Sequence, residues 1–157
     1  MGKQNGKGML LSIFLLEILG FISSTVSGDI RGVYEMLIKP PLSPPGWVFG
    51  VAWFILYALM GISVYLIYAG SDSEERSRSL ELFGWQLAVN LIWPVFFFRW
   101  QLYWAAVMVI LILDVLVSVT TIRFGQLNKI AGRLMIPYLL WIFYATYLNI
   151  GFAFLNF

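Results

Sequence analysis

Five apolar stretches, at about 9–27, 47–69, 80–98, 103–122 and 134–154, decide what this chain can fold into. Each is long enough to cross the hydrocarbon core of a bilayer, which takes roughly 20 residues of helix. Inside lipid the backbone must satisfy its own polar groups, and a helix does so within one segment. The segments between them, 28–46, 70–79, 99–102 and 123–133, are short. The expected architecture is therefore all-α: one integral membrane domain over 1–157, a bundle of five transmembrane helices. Composition agrees, since 11% of the residues are charged where a soluble domain carries about a quarter.

The first stretch has a rival reading as a secretory signal, because Lys3 and Lys7 precede it and Val26-Ser27-Gly28 closes it. Glu17 near its centre and its length argue for a retained span instead. The brevity of the chain suggests a bacterial source and a bacterial cell membrane. Basic residues set the orientation. The amino tail and the second and fourth loops hold Lys3, Lys7, Arg76, Arg78, Arg123, Lys129 and Arg133; the remaining segments hold Arg31, Lys39 and Arg99. This bias places the amino terminus inside and the carboxyl terminus outside.

Whole classes of chemistry fall away. The chain has neither Cys nor His, which removes disulfides, zinc and iron–sulfur sites and a Ser-His catalytic pair. A haem iron would have only Met or Tyr as axial ligands. No metal site and no required cofactor are expected. A net charge of +2, with no basic stripe, argues against nucleic acid.

The first loop is unusual. Pro40, Pro41, Pro44 and Pro45 lie within six positions, KPPLSPP. Proline fixes its own φ and extends the residue before it. Such a segment is stiff and suits a preformed lid, or else simply halts the chain before the second span. Aromatic residues make up 18% of the sequence. Trp100, Tyr103 and Trp104 fit an interfacial belt. Others fall on helix faces: Trp53 and Tyr57 at i, i+4; Gln86, Asn90, Trp93 and Phe97 at i, i+4, i+7, i+11; Tyr138, Trp141, Ala145 and Asn149 at i, i+3, i+7, i+11. Polar-aromatic stripes in a span face protein rather than lipid. Converging tryptophans could sandwich a flat apolar ring, with Asn90 as donor and acceptor; equally, they could only pack helices. Pro94 is expected to kink the third helix and free the carbonyl of Asn90.

Two acids, Glu17 and Asp114, lie at membrane depth with no basic partner within the spans, so neutral hydrogen-bonded acids or a proton path are expected. Gly84 and Ala88 form a small-xxx-small pair that suits a homodimer interface, and Gly46 and Gly50 repeat the spacing. Arg99, Tyr103 and Val107 fit a reversed sterol-type pattern, a weak signal.

Three segments together resemble the TspO/MBR family: KPPLSPPGWVFGVAWFILYALMGIS at 39–63, WQLAVNLIWPVFF at 85–97 and IPYLLWIFYATYLN at 136–149. They occur in family order and the resemblance covers essentially the whole chain. It implies a five-helix bundle, usually dimeric, with a pocket in each protomer beneath the first loop. That pocket takes porphyrins such as protoporphyrin IX and synthetic benzodiazepine-site ligands. The resemblance implies ligand-binding roles for Ser24, Tyr34, Pro44, Trp53, Tyr57, Asn90, Trp93, Trp141 and Ala145, and Tyr138 joins them from its helix face. Leu42 and Val33 stand where many members have tryptophan.

Three functions follow as expectations. The first is a membrane receptor or sensor that binds porphyrin and acts in tetrapyrrole handling or transport. The second is a light- and oxygen-dependent porphyrin-degrading enzyme in which Trp53 and Trp141 act on the excited ring; with no nucleophile–base pair, the ligand must supply the reactive chemistry. The third is a proton-coupled small-molecule transporter using Glu17 and Asp114.

Overall fold

The computed structural model describes residues 5–157, so Lys3 lies outside the described residues. Six α-helices follow one another: α1 Gly6–Val26, α2 Ile30–Met36, α3 Gly46–Tyr68, α4 Glu74–Pro94, α5 Tyr103–Leu127 and α6 Lys129–Leu155, with a π-helical turn over Val95–Arg99 after α4. All but α2 are long and apolar enough to span a membrane. The chain is an integral membrane protein built as an all-α bundle.

Local chemistry sets the helix starts. Asn5, Asp29, Ser73 and Asn128 each accept backbone N–H bonds from the first turn of the helix that follows, satisfying donors that a helix start leaves unpaired. These caps carry α4 and α6 beyond the apolar runs. The sixth element therefore begins at Lys129 and leaves Pro137 inside it. Gly28, at φ +84°, is in the left-handed region that glycine adopts without strain, and it turns the chain from α1 into α2.

The five spans close into a ring. Going round it, α1 packs on α3, α3 on α6, α6 on α5, α5 on α4 and α4 on α1. Close approach is written in glycine: a Cβ on Gly61 would lie 2.6 Å from the Ile13 Cα, and Gly132 packs backbone to backbone on Gly125. The polarity of a soluble protein is inverted. Phe14, Phe21, Phe54, Val115 and Leu140 point outward, whereas Gln86, Asn90, Thr120 and Asn149 are buried at the centre. Lipid tolerates the apolar exterior, and inward polar groups find partners only among themselves.

Pro94 closes α4 and, lacking an N–H, leaves the Asn90 carbonyl without its helical donor. Beyond the proline the Val95 N–H turns to the Ile92 carbonyl. The Leu91 carbonyl thereby loses its own helical donor as well, and the Ser23 hydroxyl of α1 donates to it at 2.6 Å. The π turn then closes with Trp100 N–H to Val95 O at 3.0 Å. Arg99, at its end, donates to Val26 O at 2.8 Å and fastens the end of α1.

Candidate functional site

The site is an aromatic cleft between α3, α4 and α6 beneath the first loop. From α3, Phe49, Trp53 and Tyr57 face inward at i, i+4, i+8. Trp53 lies 5.7 Å from the Tyr57 ring and 6.4 Å from the Tyr138 ring of α6. Phe49 bridges Trp141, at 5.9 Å, and Tyr34 of α2, at 5.0 Å, both edge to face. Such pairs gain from ring quadrupoles as well as burial. Trp53 and Trp141 thus line one continuous wall rather than opposite faces of the bundle.

The floor is polar and fully paired. The Tyr57 hydroxyl donates to Asn90 Oδ1 at 2.6 Å. Asn90 Nδ2 donates to the Tyr138 hydroxyl, and that hydroxyl donates to Gln86 Oε1, each at 2.8 Å. Tyr138 is 0% exposed. Beside this chain Trp93 Nε1 donates to Asn149 Oδ1 at 2.8 Å, and Asn149 Nδ2 donates to the Tyr103 carbonyl at 3.2 Å. The polar stripes read on α4 and α6 therefore meet. Trp141 Nε1, by contrast, is buried with no partner among the described residues, a spare donor at the cleft wall.

The roof is the proline loop, strapped down by tyrosines. Tyr34 donates to Pro44 O at 2.6 Å, Tyr147 to Pro41 O at 2.7 Å, and Tyr144 to Leu42 O. Asn156 holds both the N–H and the carbonyl of Ile38. Pro40 sits against Gly151, where a Cβ would meet its ring at 2.6 Å. Burial and the nearby Tyr144 phenol push the Tyr34 hydroxyl above its ordinary range, and a hydrogen bond with Ser43 opposes them, so Tyr34 stays a donor.

Tyr34, Pro44, Trp53, Tyr57, Asn90, Trp93, Tyr138, Trp141 and Ala145 all converge on this cleft. Ser24 does not: it is exposed on α1 and bonds Phe21 O of its own helix. The neighbouring Ser23 faces the bundle instead, one residue and 100° away. Nor do the tryptophans enclose an open slot. The free space among Tyr34, Phe49, Trp93, Ala145 and Phe152 is about 20 Å³, far below the roughly 300 Å³ at which ligand pockets begin. Phe49, Tyr144 and Tyr147 went unread from sequence, although Phe49 lies one turn before Trp53 on the same face.

Tyr103 is half-buried and packs on Phe97 at 5.1 Å, while Trp100 and Trp104 are outward-facing. Asp114 accepts from the Thr146 hydroxyl at 2.9 Å, and Glu17 Oε1 is buried without a partner among the described residues. Gly84 and Ala88 are exposed on α4. A Cβ at Gly84 would touch nothing within 4 Å, and Ala88 edges an outward-facing groove of about 280 Å³ between α1 and α4.

Fold and site together define a small polytopic membrane protein with an aromatic cleft roofed by a proline loop. Comparison with known proteins names the class. The TspO/MBR family model matches residues 12–155, and the chain belongs to that family. It is 33% identical over 150 residues to the "Tryptophan-rich protein TspO" of Chlorobaculum tepidum, covering 94% of this chain and 95% of that one. It is 38% identical over 130 residues to the human "Translocator protein" (81% and 76%) and 36% over 116 residues to the "Tryptophan-rich sensory protein" of Cereibacter sphaeroides (74% and 72%).

Proposed function

We propose that this protein is a membrane receptor or sensor whose cleft binds a flat, apolar ligand, a porphyrin such as protoporphyrin IX foremost, in tetrapyrrole handling or transport. The observation that carries the reading is the continuous wall of Trp53, Tyr57, Tyr138, Trp141 and Phe49 under a roof fastened by hydrogen bonds. Ligand pockets commonly measure about 300–1,000 Å³. A porphyrin must therefore displace Phe49 from between Tyr34 and Trp141 and lift the loop. Benzodiazepine-site-type ligands suit the same wall. The sensor role is supported by the names of the relatives, "sensory" and "translocator". A bacterial cell membrane is supported by the end-to-end match to the Chlorobaculum tepidum protein. The excess of basic residues supports an amino terminus inside. No cofactor beyond the ligand is required.

Titrating protoporphyrin into the purified protein in darkness tests this. Saturable tryptophan quenching is expected, weakened at least about tenfold by Trp53→Phe with Trp141→Phe, about the loss of one good ring contact at each position. Equal binding by parent and double variant sinks the reading.

The second reading, photo-oxidative porphyrin breakdown, is favoured by Trp53 lying within 6.4 Å of two tyrosines, a route for a radical away from an excited ring. It requires a new pigment under light and air that is lost in Trp53→Phe or Trp141→Phe. Proton-coupled transport stays attached to Glu17 and Asp114, neither of which has an ion-pair partner among the described residues. It predicts lost transport with intact binding in Glu17→Gln or Asp114→Asn. A homodimer is proposed through the open α4 face at Gly84 and Ala88, which Gly84→Leu should turn monomeric in detergent.

A further inference from the structure

We propose that the turn between α5 and α6 is a binding site for an anionic phospholipid headgroup, formed by Arg123, Lys129 and Arg133. Most basic side chains outside this turn are engaged. Arg31 pairs with Glu35, Arg76 with Asp72 and Arg78 with Glu74. Lys39 donates to Glu35 O and Leu37 O, and Arg99 to Val26 O. Among the described residues Lys7, Arg123, Lys129 and Arg133 make no ion pair and no side-chain hydrogen bond and are exposed, and all but Lys7 gather at one turn.

They are also concentrated. The three lie within eleven residues around Asn128, and from Val115 to Phe157 the chain has no Asp or Glu. The α3–α4 connection, by contrast, carries Asp72, Glu74 and Glu75 beside Arg76 and Arg78 and is largely self-neutralised. The α5–α6 turn therefore presents three positive charges with nothing in its own sequence to offset them. With α5 ending and α6 beginning at Asn128, each cation is within about 7.5 Å of the turn along its helix axis.

What lies next to the cations identifies the occupant. On α5, Arg123 follows the exposed Ile112, Val115, Val119 and Ile122; on α6, Lys129 and Arg133 lead into the exposed Ile130, Ile136, Leu140 and Phe143. An apolar face that ends in cations matches a phospholipid with its chains along the helices and its phosphate at the turn. Long basic side chains at helix ends reach towards that depth. A soluble anion would use the charges and leave the apolar residues idle. The site is separate from the porphyrin cleft and does not depend on it.

The test is native mass spectrometry of the full chain, released from neutral detergent after incubation with equal phosphatidylglycerol and phosphatidylcholine of matched acyl chains. The parent should retain phosphatidylglycerol preferentially. Arg123→Gln with Lys129→Gln and Arg133→Gln should cut that preference by up to about a hundredfold, from roughly fivefold per basic group at an anionic surface. Phosphatidylcholine retention should not change. Arg76→Gln with Arg78→Gln removes cations that Asp72 and Glu74 already neutralise and should change the preference less than about threefold, under the weight of one free surface cation. Undiminished preference in the triple variant overturns the proposal, as does an equal loss in the paired-cation control. Displacement of the lipid by inorganic phosphate alone, with dioleoyl and short-chain lipids retained equally, would also overturn it, because the apolar faces would then contribute nothing.

Discussion

Removing the hydroxyl of Tyr138 is the sharpest perturbation of the cleft floor. In Tyr138→Phe the ring stays, so the packing around a side chain that is 0% exposed is kept. Two hydrogen bonds go: the one from Asn90 Nδ2 and the one to Gln86 Oε1. Interhelical hydrogen bonds in membranes average about 0.6 kcal/mol, which sets a floor of about 1 kcal/mol for the pair. Orphaning a buried polar atom costs about 1–3 kcal/mol, and two are orphaned here. Asn90 and Gln86 are neighbours at i, i+4 on α4, so the freed donor and acceptor can turn partly towards each other. The expected loss is therefore about 2 kcal/mol. Tyr57→Phe removes a single bond, to Asn90 Oδ1, and should cost about half as much. Unfolding in mild detergent by titrated dodecyl sulfate, followed by tryptophan fluorescence, gives both values. An Asn90→Leu background completes the cycle: there, Tyr57→Phe should be nearly silent. A Tyr138→Phe cost no larger than that of Tyr57→Phe, or an unchanged Tyr57→Phe cost without Asn90, refutes the network as drawn.

Gly61→Ala sets a methyl against the Ile13 backbone at 2.6 Å and should destabilise the bundle by about 1–3 kcal/mol in the same assay, whereas Gly84→Ala, with open space around it, should stay within about 0.5 kcal/mol. Tyr144→Phe with Tyr147→Phe unfastens the roof from α6 and should speed hydrogen exchange at the Leu42 and Ser43 amides by about tenfold, for two exposed bonds of modest strength. The raised Tyr34 hydroxyl stabilises the protonated roof fully below the unfolded tyrosine value of about 10, and this contribution is lost as pH rises through the higher folded value. The difference in thermal midpoint between parent and Tyr34→Phe should hold to about pH 10 and shrink above it; a constant gap to pH 11 would contradict the assignment.

Much of this was legible in the sequence for a definite reason. In lipid, run length alone reports a span, so the five long helices needed no tertiary information. Facing residues were readable where a polar side chain marked the inward side: Gln86 and Asn90 fixed α4, and Asn149 fixed α6. On α1 the resemblance points to Ser24, and only packing, which sets Ser23 against the Leu91 carbonyl, distinguishes the two adjacent serines. The short α2 stayed hidden since its seven residues carry no periodic signal, and its start depends on one Asp29 bond. The roof contacts were out of reach too. Tyr144 and Tyr147 bond to carbonyls 102 and 106 residues away, and backbone acceptors leave no trace in side-chain identity.

That last feature bears on how the loop can change. Every tyrosine fastening it grips main chain: the carbonyls of Pro41, Leu42 and Pro44. Leu42 itself points away from the protein, 81% exposed. What stands at position 42 is free to vary while the clasp persists, provided the backbone there tolerates φ +66°. Exchanging the leucine for a larger side chain would leave the closure untouched. The seal rests instead on three phenols, two of them on another helix far along the polypeptide.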